Sequence, residues 1–546
     1  MTNDFLWWRD GVIYQIYPRS FADSNGDGIG DLPGITSRLD YLADLGIDAI
    51  WLSPFYPSPQ ADFGYDVSDY KNVDPLFGTL ADFDTLVAEA HRRGIRVVVD
   101  LVLNHTSDQH PWFIESRSSR ENPKRDWYIW RPPTPLSSPH FRALQRKWGD
   151  RGGPPNNWQS IFGGGGWEWD EITGQYYFHM FVRQQPDVNW RNPEVRREMI
   201  DVFRFWAERG VDGFRLDVFN AYFKDEQLRN NPRKFGLRGF DRIHHIHDID
   251  QPEMYPLLNE IRALLDGYPE RYAVGETFIA TPEKAASYCG PDKLHAAFNF
   301  DFLFRKFSAA DFAEGIKKWD QATGEDAWPN YVLSNHDQPR SATRYAHGED
   351  DTRAKLALGM LLTLRGTPFI YYGEEIGMRD IALKRSEIVD PPGKYYWPFY
   401  KGRDGCRSPM QWDASPFAGF STAKPWLPVH PNYTQRNAAA QQHDPQSLFN
   451  FIKKVLALRK EYPALQRGDF RLFFRADTGV LAYERVLGEQ RILVYINFTG
   501  KMNTASLARD TDPHQAKLLL STNREELRVY GNQFLLNPYE MTILLA

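Results

Sequence analysis

The sequence is poor in cysteine: only Cys289 and Cys406 occur among its 546 residues. Two cysteines exclude the disulfide framework of a small secreted protein and fit a reducing compartment, so we expect a cytoplasmic protein. The first residues, MTNDFLWWRDG, combine acidic and aromatic side chains and lack the apolar stretch of a secretory signal, which agrees with that expectation.

The sequence also lacks an excess of positive charge and any long apolar run. Lys and Arg number 65 against 71 Asp and Glu, which gives a formal net charge of -6. Nucleic-acid-binding domains usually present a basic surface, so we expect no nucleic-acid partner. The longest apolar candidate, Leu356–Leu364, ends at Arg365 and is far shorter than the ~18 residues that a membrane helix needs. We therefore expect no membrane association.

Aromatic side chains, by contrast, are abundant. Phe, Trp and Tyr make up 15% of the chain and include 17 Trp. A large aromatic core explains most of such an excess. A cleft that stacks aromatic rings against the C–H faces of sugars is the second interpretation, and composition alone does not separate the two.

Short apolar runs rich in β-branched residues recur along the chain, and helix-like segments such as Leu80–Arg93 and Pro193–Arg209 separate them. Fully apolar strands of this kind are typical of parallel sheets that are covered on both faces. Eight such strands alternating with helices predict an α/β fold, a (β/α)8 TIM barrel. The predicted strands are Val12–Pro18, Ile47–Pro54, Ile95–Val102, Gly213–Asp217, Ala273–Glu276, Ala296–Phe300, Tyr331–Asp337 and Thr367–Tyr372.

Uneven strand spacing predicts how the domains are organised. A polar segment rich in Gly, Pro and Trp follows the third strand, and a second long segment follows the eighth. Alternating strands over residues 473–486 and 491–498 predict a C-terminal antiparallel β domain. The predicted parts are the first part of the barrel at 1–105, an inserted subdomain at 106–175, the second part of the barrel at 176–468 with a long loop at 376–447, and the β domain at 469–546.

Polar residues cluster where the predicted parallel strands end. The carboxyl ends of barrel strands form one rim, so side chains that follow different strands converge there. Several acids at one rim are costly to bury unless they are paired or used in catalysis. The candidates are Asp100, Asn104 and His105 after the third strand, Arg215 and Asp217 at the fourth, Glu276 at the fifth, and Asn335, His336 and Asp337 at the seventh.

Two of these acids match the requirement of glycoside hydrolysis, which uses a pair of carboxyl groups on either side of the scissile bond. Residues i and i+2 of a strand share a face, so Arg215 is expected to keep Asp217 ionised and oriented. Glu276 follows an apolar run with no cation adjacent in sequence, and that environment is expected to raise its pKa for work as an acid.

The motifs together are similar to those of a known family. The chain resembles the α-amylase family of glycoside hydrolases, and within it the bacterial α-glucosidase and oligo-1,6-glucosidase branch. The resemblance covers nearly the whole chain. It is carried by WWRDGVIYQIYPRSF at 7–21, ADFGYDVSDY at 61–70, DLVLNHTS at 100–107, GFRLDVFN at 213–220, VGET at 274–277, LSNHDQPR at 333–340 and RSPMQWD at 407–413.

This resemblance implies a role for each matching residue. Asp217 would be the nucleophile, Glu276 the acid and then the base, and Asp337 the group that holds sugar hydroxyls and favours ring distortion. The implied substrate-binding residues are Asp62 and Arg403 at the non-reducing end, with Arg407 as the rival of Arg403, Tyr65 beneath the ring, Phe162 and Phe181 as walls, His105 and His336 near the scissile bond, and Arg215 beside the nucleophile.

The implied activity is that of an exo-acting, retaining α-glucosidase. A pocket whose end is closed by Asp62 and Arg403 has no room for a chain beyond the terminal glucose, so short α-glucosides such as maltose, isomaltose and short malto-oligosaccharides are the expected substrates. Retention of the anomeric configuration implies carboxyls about 5 Å apart. Whether the chain is a monomer or a homo-oligomer does not follow from the sequence.

The segment DSNGDGIGD at 23–31 is a candidate cation site. Its alternating oxygen donors, followed by glycine, begin like an EF-hand loop, but position 12 is Gly34 instead of Glu. The resemblance implies a structural Ca²⁺, or Mg²⁺ as second choice, and no cofactor for the chemistry. A turn closed by Asx hydrogen bonds is the alternative. The implied ligands are the side chains of Asp23, Asn25, Asp27 and Asp31 and the carbonyl of Ile29.

Other functions share the same acidic residues. An oligo-1,6-glucosidase is the first alternative, because Val218 after the nucleophile tends to accompany α-1,6 cleavage in this branch. A transglucosylating or isomerising enzyme similar to trehalose synthase is the second. A catalytically inactive binding scaffold is the third, and the intact Asp217, Glu276 and Asp337 argue against it.

Overall fold

The computed structural model describes residues 5–134, 151–324, 327–475, 479–508 and 511–546. Eight strands form one parallel, near-closed barrel in the order β10-β11-β1-β2-β3-β7-β8-β9. This confirms the predicted (β/α)8 fold. The barrel strands are β1 Ile13–Ile16, β2 Ala49–Leu52, β3 Arg96–Leu101, β7 Gly213–Leu216, β8 Tyr272–Gly275, β9 Ala296–Ala297, β10 Asn330–Val332 and β11 Thr367–Tyr371.

The barrel strands are apolar because side chains on both of their faces are covered. β1, β2 and β7 are buried along their whole length. Side chains such as Trp51, Val98 and Phe369 pack against one another in one cluster inside the barrel, while the opposite faces of the strands contact the surrounding helices. This double burial is typical of parallel sheets.

Helices surround the barrel, and several begin at the caps that their sequences predict. Thr79 and Asp82 form a reciprocal capping box at the start of Leu80–Arg92. Asn192 caps Pro193–Glu208, which has Pro at its first position. In chain order the helices are α1 Trp7–Asp10, α2 Pro18–Phe21, α3 Leu32–Ser37, α4 Leu39–Leu45, α5 Leu80–Arg92, α6 Pro111–Ser118, α7 Pro193–Glu208, α8 Met254–Leu265, α9 Pro282–Ser287, α10 Phe300–Leu303, α11 Ala309–Thr323, α12 Ser341–Tyr345, α13 Thr352–Thr363, α14 Pro391–Tyr396, α15 Ala438–His443, α16 Leu448–Glu461 and α17 Pro463–Arg467.

A small antiparallel sheet lies between β3 and β7; it begins in the segment predicted as the inserted subdomain and extends past the predicted end of that segment at residue 175. Its order is β4-β6-β5, with β4 at Trp130–Arg131, β5 at Trp167–Asp170 and β6 at Gln175–Phe178. Residues 135–150 of the predicted subdomain lie outside the described residues.

The C-terminal region is antiparallel. A five-stranded sheet has the order β12-β13-β14-β18-β16, and β15 pairs with β17. The segment 473–486, predicted as one strand, contains the end of one strand at 473–475 and most of the next at 480–486, and Gly479 before the second strand has a φ of 65°. The strands are β12 Asp469–Arg475, β13 Val480–Leu487, β14 Gln490–Asn497, β15 Asn503–Ser506, β16 Lys517–Ser521, β17 Gln533–Leu536 and β18 Met541–Leu545.

Two further observations bear on the expectations about compartment and membrane. Cys289 and Cys406 are both buried and neither forms a disulfide. Among the described residues, no helix is long and apolar enough to cross a bilayer.

Candidate active site

The predicted acids meet in one cavity at the carboxyl ends of the barrel strands. Asp217 directly follows β7, Glu276 directly follows β8, and Asp337 lies in the turn after β10. All three line a cavity of about 690 Å³. The same cavity is lined by the predicted residues Asp62, Tyr65, His105, Phe162, Phe181, His336 and Arg403.

Arg215 lies beneath the acids. The register of β3 against β7 places Asp100 opposite Arg215, and Nη1 of Arg215 lies 2.7 Å from Oδ1 of Asp100. The same nitrogen lies 2.5 Å from Oδ1 of Asp217, and Nη2 contacts Glu276. Arg215 is only 1% exposed and is not among the residues that line the cavity. It therefore holds the carboxyls, which differs from the expected contact with substrate.

Burial dominates the electrostatics of this cluster. It raises the pKa of Asp100 to about 6 and also raises the pKa of Glu276, in both cases against the opposing charge of Arg215. Burial raises the pKa of Asp217 as well, Arg215 opposes the rise, and Glu276 adds to it. One guanidinium faces three carboxyls, so Arg215 does not by itself keep Asp217 fully ionised.

The expectation for Glu276 was right in direction and wrong in one respect. No cation is adjacent to it in sequence, but the fold brings Arg215 into contact with it. Its pKa is nevertheless raised, because desolvation outweighs the attraction of the guanidinium. Asp217 and Glu276 are close enough to hydrogen-bond to each other, so the pair can share one proton.

Asp337 has the opposite electrostatic environment. Its Oδ1 lies 2.9 Å from Nη2 of Arg407 and 3.2 Å from Nη1 of Arg403, and its Oδ2 lies 3.2 Å from Nε2 of His336. Burial opposes ionisation, but these neighbours together lower its pKa below the usual range. Asp337 is therefore an ionised carboxylate in the cavity.

Tyr65 and the two histidines form one hydrogen-bonded wall. The Tyr65 hydroxyl lies 2.6 Å from Nε2 of His336 and 3.1 Å from Oδ2 of Asp100, and the Tyr65 and His336 rings are parallel at 5.3 Å. Burial lowers the pKa of His105 to about 4 and that of His336 to about 3. Both imidazoles are therefore uncharged at neutral pH, and each ring can donate a hydrogen bond from one nitrogen and accept one at the other.

Asp62 and Arg403 close part of the cavity. Nη2 of Arg403 lies 2.6 Å from Oδ1 of Asp62 and 2.7 Å from Oδ1 of Asp390. The guanidinium also lies over the Phe162 ring, 4.8 Å from its centroid. Arg407, the rival of Arg403, is fully buried and does not line the cavity, so Arg403 is the arginine that faces it.

Sequence reasoning missed two residues of this arrangement. Nε2 of Gln185 lies 3.3 Å from Asp62 and 3.0 Å from Nε2 of His105, so it links two predicted binding residues. Asp390 anchors Arg403 from the loop after the last barrel strand. Neither stands directly at the end of a barrel strand, and no local pattern in the sequence distinguishes them from other polar loop residues.

The predicted cation loop closes on its own backbone. Asp23 accepts bonds from the amides of Gly26 and Gly28, at 2.7 and 2.8 Å. Asp31 caps α3 through the amide of Gly34 at 2.6 Å, and Asn25 and Asp27 each accept an amide two residues on. The described residues contain no group of three acidic, histidine or cysteine side chains placed to hold a metal. This arrangement agrees with the Asx-turn alternative, and the cation stays a prediction.

Comparisons with known proteins are consistent with an active site in this cavity. Residues 15–468 match the family model of the alpha-amylase catalytic domain. A probable alpha-glucosidase of Rhizobium meliloti (strain 1021) is 46% identical, over 93% of this chain and 92% of its own length. An oligo-1,6-glucosidase of Parageobacillus thermoglucosidasius is 40% identical, over 98% of each chain. The crystal structure of an alpha-glucosyl transfer enzyme, 40% identical, superposes with a TM-score of 0.91 over 100% of both chains.

The sequence motifs and the barrel fold indicate one family. The acids at the rim of the barrel and the relatives named above indicate the same family. The matched segment spans most of the chain, and the relatives are similar over nearly their whole length. The chain belongs to the α-amylase family and is a glycoside hydrolase.

Proposed function

We propose that the chain is an exo-acting, retaining α-glucosidase that releases α-glucose from the non-reducing end of short α-glucosides. Maltose, isomaltose and short malto-oligosaccharides are the substrates that we infer. The contact of Asp62 with Arg403, at 2.6 Å in the cavity that holds the acids, carries the proposal. A sugar chain that continued beyond the terminal glucose would have to separate this buried ion pair, which is costly.

In the first step Asp217 attacks the anomeric carbon, and the bond from that carbon to the leaving oxygen breaks. Glu276 gives its proton to that oxygen, so the alcohol leaves neutral and a covalent glucosyl-Asp217 ester remains. The raised pKa of Glu276 supports this role, since burial favours the protonated form that a general acid needs. Asp337, ionised at the same rim, accepts hydrogen bonds from sugar hydroxyls.

In the second step the Glu276 carboxylate takes a proton from water, and the water oxygen attacks the same carbon and releases Asp217. Two displacements on opposite faces return the α configuration. The closeness of the two carboxyls supports this route, because an inverting enzyme keeps its carboxyls about 6.5–9.5 Å apart to hold a water molecule between them.

Transfer to a second sugar is the alternative fate of the glucosyl group. An acceptor hydroxyl that replaces water would give transglucosylation or isomerisation, and the similarity to an alpha-glucosyl transfer enzyme favours testing this outcome. The similarity to oligo-1,6-glucosidases leaves cleavage of α-1,6 bonds as the alternative linkage. The unbridged cysteines fit a cytoplasmic location for any of these activities.

Four substrates test the proposal: maltose, isomaltose, trehalose and sucrose, each incubated separately with the purified protein. We expect glucose from maltose, released as the α anomer and followed by NMR before mutarotation. Asp217→Asn should lower the rate by about 10⁴-fold or more while the protein stays folded. Asp201→Asn, at a half-exposed position on the surface of α7, is the matched control. Release of β-glucose, or full activity of Asp217→Asn, would contradict the proposal.

A further inference from the structure

A second cavity, of about 410 Å³, lies beside the catalytic one. The rings of Phe162 and Phe181 line both cavities and meet edge to face at 5.5 Å, so they form the partition between the two. The other walls come from the inserted segment between β3 and β7 and from α14 in the long loop after β11. None of the residues assigned to catalysis lines this second cavity.

Its walls combine aromatic rings with polar groups. Trp169 and Tyr176 lie edge to face at 5.1 Å, and the Arg151 guanidinium lies 5.4 Å from the centroid of the Trp169 ring. The side chains of Glu168 and Arg183 also line the cavity, and neither forms a side-chain hydrogen bond or an ion pair with another described residue, although the carbonyl oxygen of Arg183 accepts a bond from the Tyr177 hydroxyl. Aromatic walls with a few polar side chains are typical of sites for small polar ligands.

Two polar atoms of the wall residues have no hydrogen-bond partner within the described part of the chain. Nδ1 of His179 lies 2.8 Å from the carbonyl oxygen of Phe181 and therefore carries a hydrogen that it donates there. Burial lowers the pKa of His179, so the ring is neutral and its Nε2 is a bare acceptor. Among the residues that the structure describes, neither this Nε2 nor the indole N–H of Trp169 has a hydrogen-bond partner. Unsatisfied buried polar atoms are uncommon and point to an absent ligand or water.

Tyr395 forms the outer wall. A Cβ on Gly163 would lie 2.3 Å from the Tyr395 ring, so the ring rests directly on the glycine backbone. The neighbouring Gly164 and Gly165 have open space where a side chain would be. Tyr395 is 62% exposed, which leaves its other face free to cover a ligand at the cavity mouth.

We propose that this second cavity is a saccharide-binding site distinct from the catalytic pocket. A sugar presents C–H faces that suit Trp169 and Tyr395, and it presents hydroxyls that suit Glu168, Arg183 and the acceptor on His179. The choice of a glucoside as the occupant rests on the proposed function, because the substrates and products of that reaction are present on the other side of the Phe162–Phe181 partition.

The test uses the full-length Asp217→Asn protein, in which we expect almost no turnover, and equilibrium dialysis against radiolabelled maltose. We expect two maltose molecules per chain. In the same background, Tyr395→Ala should weaken one of the two sites by about tenfold and leave the other unchanged. Phe399→Ala is the matched control, because Phe399 is 96% exposed, lies four residues away and lines neither cavity.

A second variant tests the inner wall of the second cavity, at Trp169. Trp169→Phe keeps an aromatic ring against Tyr176 and removes the unpaired N–H, so it should weaken the same site without unfolding the protein. One maltose per chain in Asp217→Asn would overturn the inference, and so would two sites that neither Tyr395→Ala nor Trp169→Phe affects. Glucose release by the unmodified enzyme is scored separately: two bound maltoses without turnover contradict only the proposed function, and turnover with one bound maltose contradicts only the second site.

Discussion

Arg403 and Asp62 are 341 positions apart in the sequence, and their side chains meet at 2.6 Å. Both are almost completely buried, and Arg403 also contacts Asp337 and Asp390. The pair therefore connects the loop after β2 with the long loop after β11, and it fixes both side chains at the wall of the catalytic cavity. The Arg403 guanidinium therefore affects both the shape of the pocket, through Asp62, and the orientation of Asp337.

Replacing Asp62 tests this arrangement. We expect Asp62→Asn to lower kcat/KM for maltose by about 10²-fold or more, because removing one charge of a buried, hydrogen-bonded pair costs roughly 2–5 kcal/mol. The measurement is steady-state kinetics on maltose and maltotriose. Asp69→Asn, an exposed residue of the same motif, is the control. An unchanged kcat/KM would mean that the pair does not bind the substrate.

The role of Glu276 has a pH signature. Burial raises its pKa, and only the protonated form can donate to the leaving oxygen, so the rate should fall as the pH rises through that raised pKa. Glu276→Gln should lower kcat by about 10²–10⁴-fold and remove this alkaline limb. The loss should be smaller for nitrophenyl glucosides, whose leaving group needs little protonation. Glu283→Gln, at an exposed glutamate nearby, should keep the full profile. An alkaline limb that persists in Glu276→Gln would assign it to another group.

The sequence predicted the parts of this protein that depend on local patterns. Eight β-branched runs located the barrel strands, and the rule that function lies at strand ends located Asp217, Glu276 and Asp337. Contacts between distant loops could not be predicted from the sequence, because Gln185 and Asp390 carry no local pattern. The position of Arg215 beneath three acids could not be predicted either, because it depends on the register of β3 with β7. The direction in which burial and neighbouring charges shift the pKa of Asp217 likewise follows only from the assembled cluster of side chains.

Linkage preference can be tested at Val218. This residue follows the nucleophile, lines the catalytic cavity and adopts a φ of 39°, which is unusual for a β-branched side chain. Val218→Thr keeps the branched shape and replaces one methyl group by a hydroxyl. A single group of this size is worth about 1–3 kcal/mol, so we expect the ratio of kcat/KM for isomaltose to that for maltose to fall by about tenfold. An unchanged ratio would exclude Val218 as a determinant of linkage.

Chelation distinguishes the two interpretations of the 23–31 loop, a cation site and a turn closed by Asx hydrogen bonds. If the predicted Ca²⁺ binds the folded state, mass action stabilises the protein, by about 2.7 kcal/mol when the free ion is at 100 times its Kd. We expect EDTA to lower the Tm by about 2 °C, Ca²⁺ to restore it, and Asp27→Ala to abolish the response. A Tm that is insensitive to EDTA and Ca²⁺ would leave the loop as a turn closed by Asx bonds.

A buried carboxyl outside the cavity predicts how stability depends on pH. Burial raises the pKa of Glu375 from its usual 4.5 to about 7, although the hydroxyls of Tyr14 and Tyr41 donate to its Oε1 at 2.9 and 2.7 Å. Between those two pH values the folded state binds more protons than the unfolded state. The free energy of unfolding therefore falls as the pH rises through this window and is constant above it.

Glu375→Gln isolates this effect, because the amide oxygen accepts the same two hydroxyl bonds and does not titrate. Relative to this variant, the unmodified protein should lose on the order of 3 kcal/mol of stability between about pH 5 and about pH 8. Urea unfolding across that range measures the difference, and Glu461→Gln, at an exposed glutamate, should follow the unmodified protein. Glu375 does not line the catalytic cavity, so kcat should not change. A stability difference that is the same at both pH values would mean that Glu375 does not titrate in this window in the folded protein.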